Sequence, residues 1–385
     1  MAVKFLPPIA NASQFPVPIV TATPKFRLKD LRLFRPRRDF MSKAIFTRNG
    51  RGAIGIAGNT LKKPGKNVIL IPAYHCPALV EPFIWLDYEV RFYPVQADLS
   101  VDLALLDAAF ATEDVTHCVV VRYFGFGQNN DQVIEYLHSK PVEIIEDCAH
   151  SMFRFVQHFD PQLTPALDVS ASICSINKIL PSIDGGALYL KTPFEAKLDQ
   201  VGVSEEAKAC AFLFGIPQFV DKLKSKFSAT KSSPQPETLS EQVAQDDGHL
   251  RYFQPVDLIS ASYRHTKEIF CRSYLSEVKQ KRRNNFIYLV DKIDNPKVGQ
   301  ALFKTLNDDV PYVVPFLLED QVHFHTIRKR GIQILRWEEV AISDCPVSQA
   351  YRSRLIQIPC HQQLNQSQLD FMVDTINQLT PQDAL

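Results

Sequence analysis

The apolar positions of the chain fall into short runs with two different spacings. Residues 67–73 (N-V-I-L-I-P-A) are apolar almost without interruption and close on a proline, the pattern of a strand buried on both faces and ending at Pro72. Residues 89–95 (E-V-R-F-Y-P-V) alternate as a strand does, and residues 116–125 (T-H-C-V-V-V-R-Y-F-G) give another strand that stops at a glycine turn. Val142 to Ile145 and Ala187 to Leu190 are two further short apolar runs read as strands. Between them the spacing becomes helical. Residues 47–58 (T-R-N-G-R-G-A-I-G-I-A-G) predict a glycine-rich turn opening a helix near Gly52, and Asp131 to Leu137 places Val133, Ile134 and Leu137 on one helical face. Strand–helix alternation sustained over about 150 residues predicts a mainly parallel sheet with helices on both faces, a three-layer α/β/α unit.

Beyond residue 195 the pattern changes. Phe212 to Phe219 is apolar, whereas residues 228–248 are polar and proline-bearing, the composition of a mobile loop. A long helical segment is expected from Pro255 to about residue 290, followed by a strand from Val310 to Leu318. A helix from His325 to Arg330, a strand from Ile332 to Leu335 and a last helix capped by Asn365 with Gln368 complete a smaller α+β unit. The expected organisation is an arm (1–40), a large α/β domain (41–195), a variable segment (196–254) and a small C-terminal domain (255–385). The arm is proline-rich and partly basic (Arg35, Arg37, Arg38), as a segment lying on the surface or on a partner subunit would be.

Composition narrows the classes. The 385 residues are 45% hydrophobic and 22% charged, and 43 Lys plus Arg face 42 Asp plus Glu, which argues against a nucleic-acid footprint. Eight scattered cysteines without a C-x-x-C pair read as reduced thiols of a cytoplasmic protein, with no metal framework. The N-terminal apolar run is too short and too rich in proline for a signal peptide. The apolar stretch from Val68 to Leu86 is broken by Pro72, His75, Pro77, Glu81 and Pro82, so no membrane span is expected.

Candidate chemistry lies between residues 142 and 190. Asp147 ends a predicted strand, the edge at which ligands bind in parallel sheets. Some thirty residues on, Ser175 and Lys178 stand in a loop closed by Gly185 and Gly186. An acid at a strand end and a lone lysine in such a loop are what a pyridoxal phosphate site requires: an amine for the aldehyde and an anion for the pyridine nitrogen. The glycine turn at Gly50, Arg51 and Gly52 opens a helix whose free N–H groups suit a phosphate, with the Ser175 hydroxyl as a further donor.

Six segments in one order carry a resemblance: residues 49–54 (N-G-R-G-A-I), 71–76 (I-P-A-Y-H-C), 122–128 (R-Y-F-G-F-G-Q), 144–151 (I-I-E-D-C-A-H-S), 175–186 (S-I-N-K-I-L-P-S-I-D-G-G) and 358–365 (I-P-C-H-Q-Q-L-N). Together they resemble the nucleotide-sugar aminotransferases of the DegT–StrS type, within the aspartate aminotransferase fold (fold type I). The likeness is good from Asn49 to Leu190 and looser from Asp257 to Leu379. It implies Lys178 as the residue joined to pyridoxal 5'-phosphate and Asp147 as the partner of its ring nitrogen. It also implies His150 beside the phenolic oxygen, and a homodimer using an amino donor such as glutamate and a keto-sugar nucleotide acceptor. Cys76 falls where the family stacks an aromatic on the ring, so His75 or Tyr74 is the expected substitute. Leu250 falls where the family has an asparagine reaching the neighbouring subunit's phosphate, and Arg251 is the candidate replacement. Relatives that eliminate a hydroxyl carry histidine in place of the lysine; Lys178, with no histidine between residues 172 and 186, implies amino transfer. An aminotransferase or lyase acting on a non-sugar molecule, and a non-catalytic scaffold, are the alternatives.

Overall fold

Asn49 starts the first helix, because its side chain accepts the Gly52 N–H at 2.9 Å. The structure, a computed structural model, describes residues 3–10, 15–32, 34, 36–112, 114–215 and 250–380. Strand β1 (Ile45–Thr47) leads into helix α1 (Gly50–Leu61), then β2 (Val68–Pro72), α2 (Pro77–Trp85) and β3 (Glu89–Tyr93). Helix α3 (Leu103–Thr112), β4 (His117–Val121), α4 (Asn130–Leu137) and β5 (Glu143–Asp147) continue the alternation. Helix α5 (Met152–Val156), β6 (Ala171–Ser175), the single turn α6 (Ile176–Ile179) and β7 (Gly186–Leu190) complete it. These strands form a seven-stranded sheet in the order β1-β7-β6-β5-β4-β2-β3. Strands β3, β2, β4, β5 and β6 are parallel, while β7 runs antiparallel to both of its neighbours.

The continuous apolar runs have a simple cause. Val68, Leu70, Cys118, Val120 and Ile144 enter one cluster with Leu106 of α3 and Val133, Ile134 and Leu137 of α4. Their neighbours Ile69, Ile71, Val119, Val121 and Ile145 enter the opposite cluster with Ala53 and Ile54 of α1 and Phe155 of α5. Both faces are covered, so both parities of each strand are apolar. The fold is the mainly parallel α/β/α arrangement that the pattern predicts.

Helices α7 (Val203–Leu213), α8 (Arg264–Arg272) and α9 (Leu275–Lys292) precede β8 (Gly299–Ala301) and β9 (Val313–Leu318). Helices α10 (His323–Lys329) and α11 (Pro346–Arg354), strand β10 (Leu355–Pro359) and helix α12 (Gln366–Asn377) follow. Strands β10, β9 and β8 form a second, antiparallel sheet. The larger apolar cluster runs from the first sheet to Val314, Phe316, Ile356 and Ile358 of the second without a break.

Three expectations are corrected. Helix α1 begins at Gly50, not near Gly52, because the Asn49 cap sets its start. The long helix expected from Pro255 is a 3-10 turn (Pro255–Leu258) and two helices, broken where Ser273 takes extended backbone angles and its hydroxyl turns back to the Ile269 carbonyl. Residues 332–335 form only isolated bridges, Val20 to Ile332 and Leu335 to Gln357, since the N-terminal arm occupies one side of the segment. That arm lies on its own chain: Leu6 donates its N–H to Val340, and Val20 is fully buried beside Gly331. The capping box of Asn365 and Gln368 is present as expected. The loop expected at 228–248 lies outside the described residues. Among the described residues no helix is long and apolar enough to cross a membrane.

Candidate active site

A cavity of about 350 Å³ opens at the carboxyl edge of the parallel strands. Val121 at the end of β4, Asp147 at the end of β5, and Ile173 and Ser175 of β6 line it. Asn49, Gly50 and Arg51 enter from the start of α1, Cys76 from the turn after β2, and Lys178 from α6. Two glycines allow this convergence. Gly185 adopts φ +128°, and a Cβ on Gly186 would stand 2.2 Å from the Asn49 carbonyl oxygen. Strand β7 therefore passes directly against the first turn of α1, which brings Lys178 and the helix start to one cavity.

The Lys178 Nζ lies 3.0 Å from His150 Nε2. His150 accepts the Phe124 N–H at Nδ1 (3.2 Å), and its ring is stacked between Phe124 and Tyr312 at 5.4 and 4.6 Å. Burial, and then the Lys178 charge, push the imidazole well below the usual histidine range, so it is neutral. Phe124 holds its N–H in place from a left-handed backbone conformation, φ +57°, which bulky residues rarely adopt.

Asp147 is 8% exposed, and its Oδ1 accepts the Ala149 N–H at 2.8 Å. It makes no ion pair within 4.0 Å among the described residues. Burial raises its carboxyl above the ordinary range, against the opposing pull of Lys178 and the Ala149 amide. Its neighbour Glu146 is also buried but is paired on all sides: Arg122 Nε (2.6 Å), Arg154 Nε (3.3 Å) and His158 Nε2 (3.4 Å) surround it. Burial acts against the Glu146 charge, but these three groups more than offset it and hold the carboxyl far below its usual value. Arg122, although on the cavity wall, is committed to Glu146 and Asp131.

At the opposite end of the cavity stand the first-turn amides of Gly50 and Arg51, which have no partner inside the helix. The Gly52 N–H is taken by Asn49, and a Cβ on Gly52 would stand 2.5 Å from the Asp257 carbonyl oxygen. Gly52 is thus a packing residue behind the cavity, correcting its expected place among the phosphate donors. The Arg51 Nε is buried without a hydrogen-bond partner, 3.7 Å from Asp257 Oδ2. Ser175 Oγ donates to Asn177 Oδ1 at 3.0 Å, and both residues line the cavity beside Gly50.

The ring-face expectations also change. Tyr74 is absent from the cavity wall, packed behind it against Tyr123, Trp337 and Tyr351. His75 reaches the wall, but its ring is stacked on Phe92 at 5.2 Å and its Nε2 accepts the Ala341 N–H. Burial pushes it down to about 4, so it is neutral. Within the chain Arg251 pairs with Glu339 and stands off the chain's own cavity wall, which its neighbour Tyr252 joins. Glu81 places that segment by accepting the N–H groups of Arg251, Tyr252 and Phe253. Asn49, Arg122, Ala149, Asn177, Tyr252 and Trp337 are wall residues that the motifs did not single out. An asparagine directly before a glycine turn was a readable cap signal, whereas Tyr252 and Trp337 arrive from distant segments.

The sequence matches no family model and no curated protein. Solved structures do match. An aminotransferase of Helicobacter pylori, PseC, involved in the biosynthesis of pseudoaminic acid, shares 14% identity over 93% of this chain and 98% of its own, with a TM-score of 0.61. A DegT DnrJ EryC1 StrS aminotransferase from Brucella abortus shares 16% identity over 88% of each chain, with a TM-score of 0.59. This chain has the fold of the DegT DnrJ EryC1 StrS aminotransferases. DesV of S. venezuelae, solved in complex with a ketimine intermediate, has the same fold at 14% identity, over 89% of this chain and 87% of its own, with a TM-score of 0.59. The aminotransferase fold thus extends over both sheets of this protein, the seven-stranded and the three-stranded.

The residues on the wall fit pyridoxal phosphate. A buried carboxylate without a cation, a buried guanidinium nitrogen without an acceptor and a lysine amine share one cavity. The cofactor would bring a protonated ring nitrogen to the first, a phosphate to the second, whose charge Asp257 faces at 3.7 Å without a hydrogen bond, and an aldehyde to the third.

Proposed function

We propose that the protein is a pyridoxal phosphate-dependent aminotransferase. It takes the amino group of an amino acid, glutamate or one of similar chemistry, and gives it to a keto or aldehyde acceptor. The observation that carries this reading is the meeting of the Lys178 amine and the uncompensated Asp147 carboxylate on one cavity wall. When bound, the cofactor supplies an electron-accepting ring and a carbon that exchanges oxygen for an amino group. The chain's own residues do the rest. Asp147 keeps the ring nitrogen protonated, since a carboxylate in this low-dielectric wall strongly favours an adjacent cation. Lys178 holds the cofactor and carries a proton at Nζ, with His150 Nε2 fixing where that nitrogen stands. The Gly50 and Arg51 amides and the Arg51 guanidinium would hold the phosphate, with the Ser175 hydroxyl joining them by turning from Asn177 Oδ1.

A keto-sugar nucleotide is the proposed acceptor class, supported by the shared fold of PseC and its part in pseudoaminic acid biosynthesis. A homodimer working in the cytoplasm is proposed with it; all eight cysteines are free, as a reducing compartment requires. Rapid-mixing absorbance spectra of protein reconstituted with pyridoxal phosphate, taken with a panel of amino acids, test the reading. One donor should bleach the aldehyde form in a single half-reaction, and a keto acceptor should restore it. Bound cofactor that responds to no donor would replace amino transfer with a lyase or scaffold role.

A further inference from the structure

Arg282 sits in a run of charge, residues 279–283 (K-Q-K-R-R), yet its side chain is fully buried. No carboxylate lies within ion-pair distance of it among the described residues. Its acceptors are neutral: Gln362 Oε1 for Nε (2.9 Å), the Tyr312 and Pro311 carbonyls for Nη1 (2.8 and 3.3 Å), and the Ile179 carbonyl for Nη2 (3.1 Å). Burying a guanidinium without an anion is unfavourable compared with an apolar side chain of the same size. The burial does, however, gather four acceptors in one rigid fork.

Two of those acceptors stand directly behind Lys178. Ile179 is the next residue along the chain, and its carbonyl also accepts from Gln362 Nε2 at 3.0 Å. Tyr312 stacks its ring on His150, the residue that meets Lys178 Nζ. The contacts close a circuit from Arg282 through Ile179 to Lys178, and back through His150 and Tyr312. Helix α6 has only one turn, held by the Leu180 N–H on the Ile176 carbonyl, so it has little rigidity of its own.

We propose that Arg282, with Gln362, is a positioning residue for the Lys178 amine, clamping the α6 turn and the His150–Tyr312 stack into one unit. This rests on the reading of Lys178 as the cofactor-holding residue. The clamp ties helix α9 and the segment after β10 to the lysine turn, so the second half of the chain sets the geometry of a site whose lysine comes from the first.

The test uses Arg282→Lys, which keeps charge but loses the fork, and Gln362→Met, which removes the second arm and leaves Arg282 its three carbonyl acceptors. Two readouts are followed on the full chain. Hydrogen–deuterium exchange without cofactor should rise about 10-fold in the peptide spanning residues 176–182 while strands β4 and β5 keep wild-type protection. The rate at which pyridoxal phosphate becomes borohydride-fixable on Lys178 should fall about 10- to 100-fold, the scale of a misplacement near 1 Å. Exchange unchanged in residues 176–182, loosening spread equally over the sheet, or local loosening with an unchanged attachment rate would each overturn the proposal. If Arg282→Lys does not fold, Gln362→Met decides by the same criteria. If wild-type protein fails to attach the cofactor, the functional reading falls, and the exchange comparison alone decides the clamp.

Discussion

Replacing Asp147 by asparagine should move stability and activity in opposite directions. The carboxylate is buried, carries one amide hydrogen bond and has no ion-pair partner among the described residues. The amide side chain keeps the shape and can still accept from Ala149. The pH dependence follows from the direction of the shift. Burial raises the folded-state value above the ordinary 3.8. Between those two values the unfolded chain has already lost the proton that the folded chain retains. Stability therefore falls as pH rises through that window and stays lower above it. The amide of the variant has nothing to titrate, so cofactor-free Asp147→Asn protein should be more stable at neutral pH. The gain is on the order of 1–3 kcal/mol, the scale of an unsatisfied buried polar group. Activity should go the other way. A carboxylate about 2.8 Å from a cation, at an effective dielectric near 20, contributes on the order of 6 kcal/mol before desolvation. Losing half of that slows turnover about 100-fold. Thermal melts of cofactor-free protein from pH 4 to pH 8, with donor half-reaction rates on reconstituted protein, provide the assay. A variant less stable than wild type at neutral pH, with an unchanged rate, would refute the reasoning and assign the ring nitrogen to another group.

Three further substitutions test how the site is held. Asn49→Ala removes the Gly52 cap and the 2.7 Å bond to Asp257; it should cost about 1–2 kcal/mol in urea titration and weaken inorganic phosphate competition with the cofactor. Gly125→Ala forces a Cβ within 2.2 Å of the Val310 carbonyl at φ +94° and should destabilise the protein by about 2 kcal/mol or more. Glu146→Gln removes the buried one of the two carboxylates that Arg122 and Arg154 share, leaving them Asp131 alone, and should cost about 3 kcal/mol. Wild-type Glu146, with its folded value depressed, contributes stability above its ordinary range and loses it as pH falls through the folded value, so the wild-type advantage should shrink in acid melts.

Much of the scaffold was legible because both faces of the parallel strands are buried: β2 and most of β4 appear as apolar runs with sharp ends, and β5 as a short apolar pair before its terminal acids. Asp147 and Lys178 were legible for a related reason, since a strand end and a glycine-closed loop have local signatures. Helix α2 was not, because Pro77 and Pro82 interrupt its spacing although Pro77 sits harmlessly in the first turn. Strand β6 was missed because Ser172, Cys174 and Ser175 dilute its apolar pattern, yet all of its residues are buried. The split between α8 and α9 depends on one hydroxyl turning back on the helix, which spacing does not reveal. Arg282 was the least legible residue of all. A charge run ordinarily faces water, and only the tertiary fold brings Ile179, Tyr312 and Gln362 around it.

The central claim is that Lys178 holds pyridoxal phosphate in the cavity it shares with Asp147. Purified protein should be reconstituted with the cofactor, treated with borohydride, digested and mapped by mass spectrometry, alongside Lys178→Ala. The expected result is a yellow protein whose colour borohydride removes, with one phosphopyridoxyl group on the peptide containing Lys178 and none in the variant. A label on another lysine, or none on a protein that binds the cofactor tightly, would contradict it.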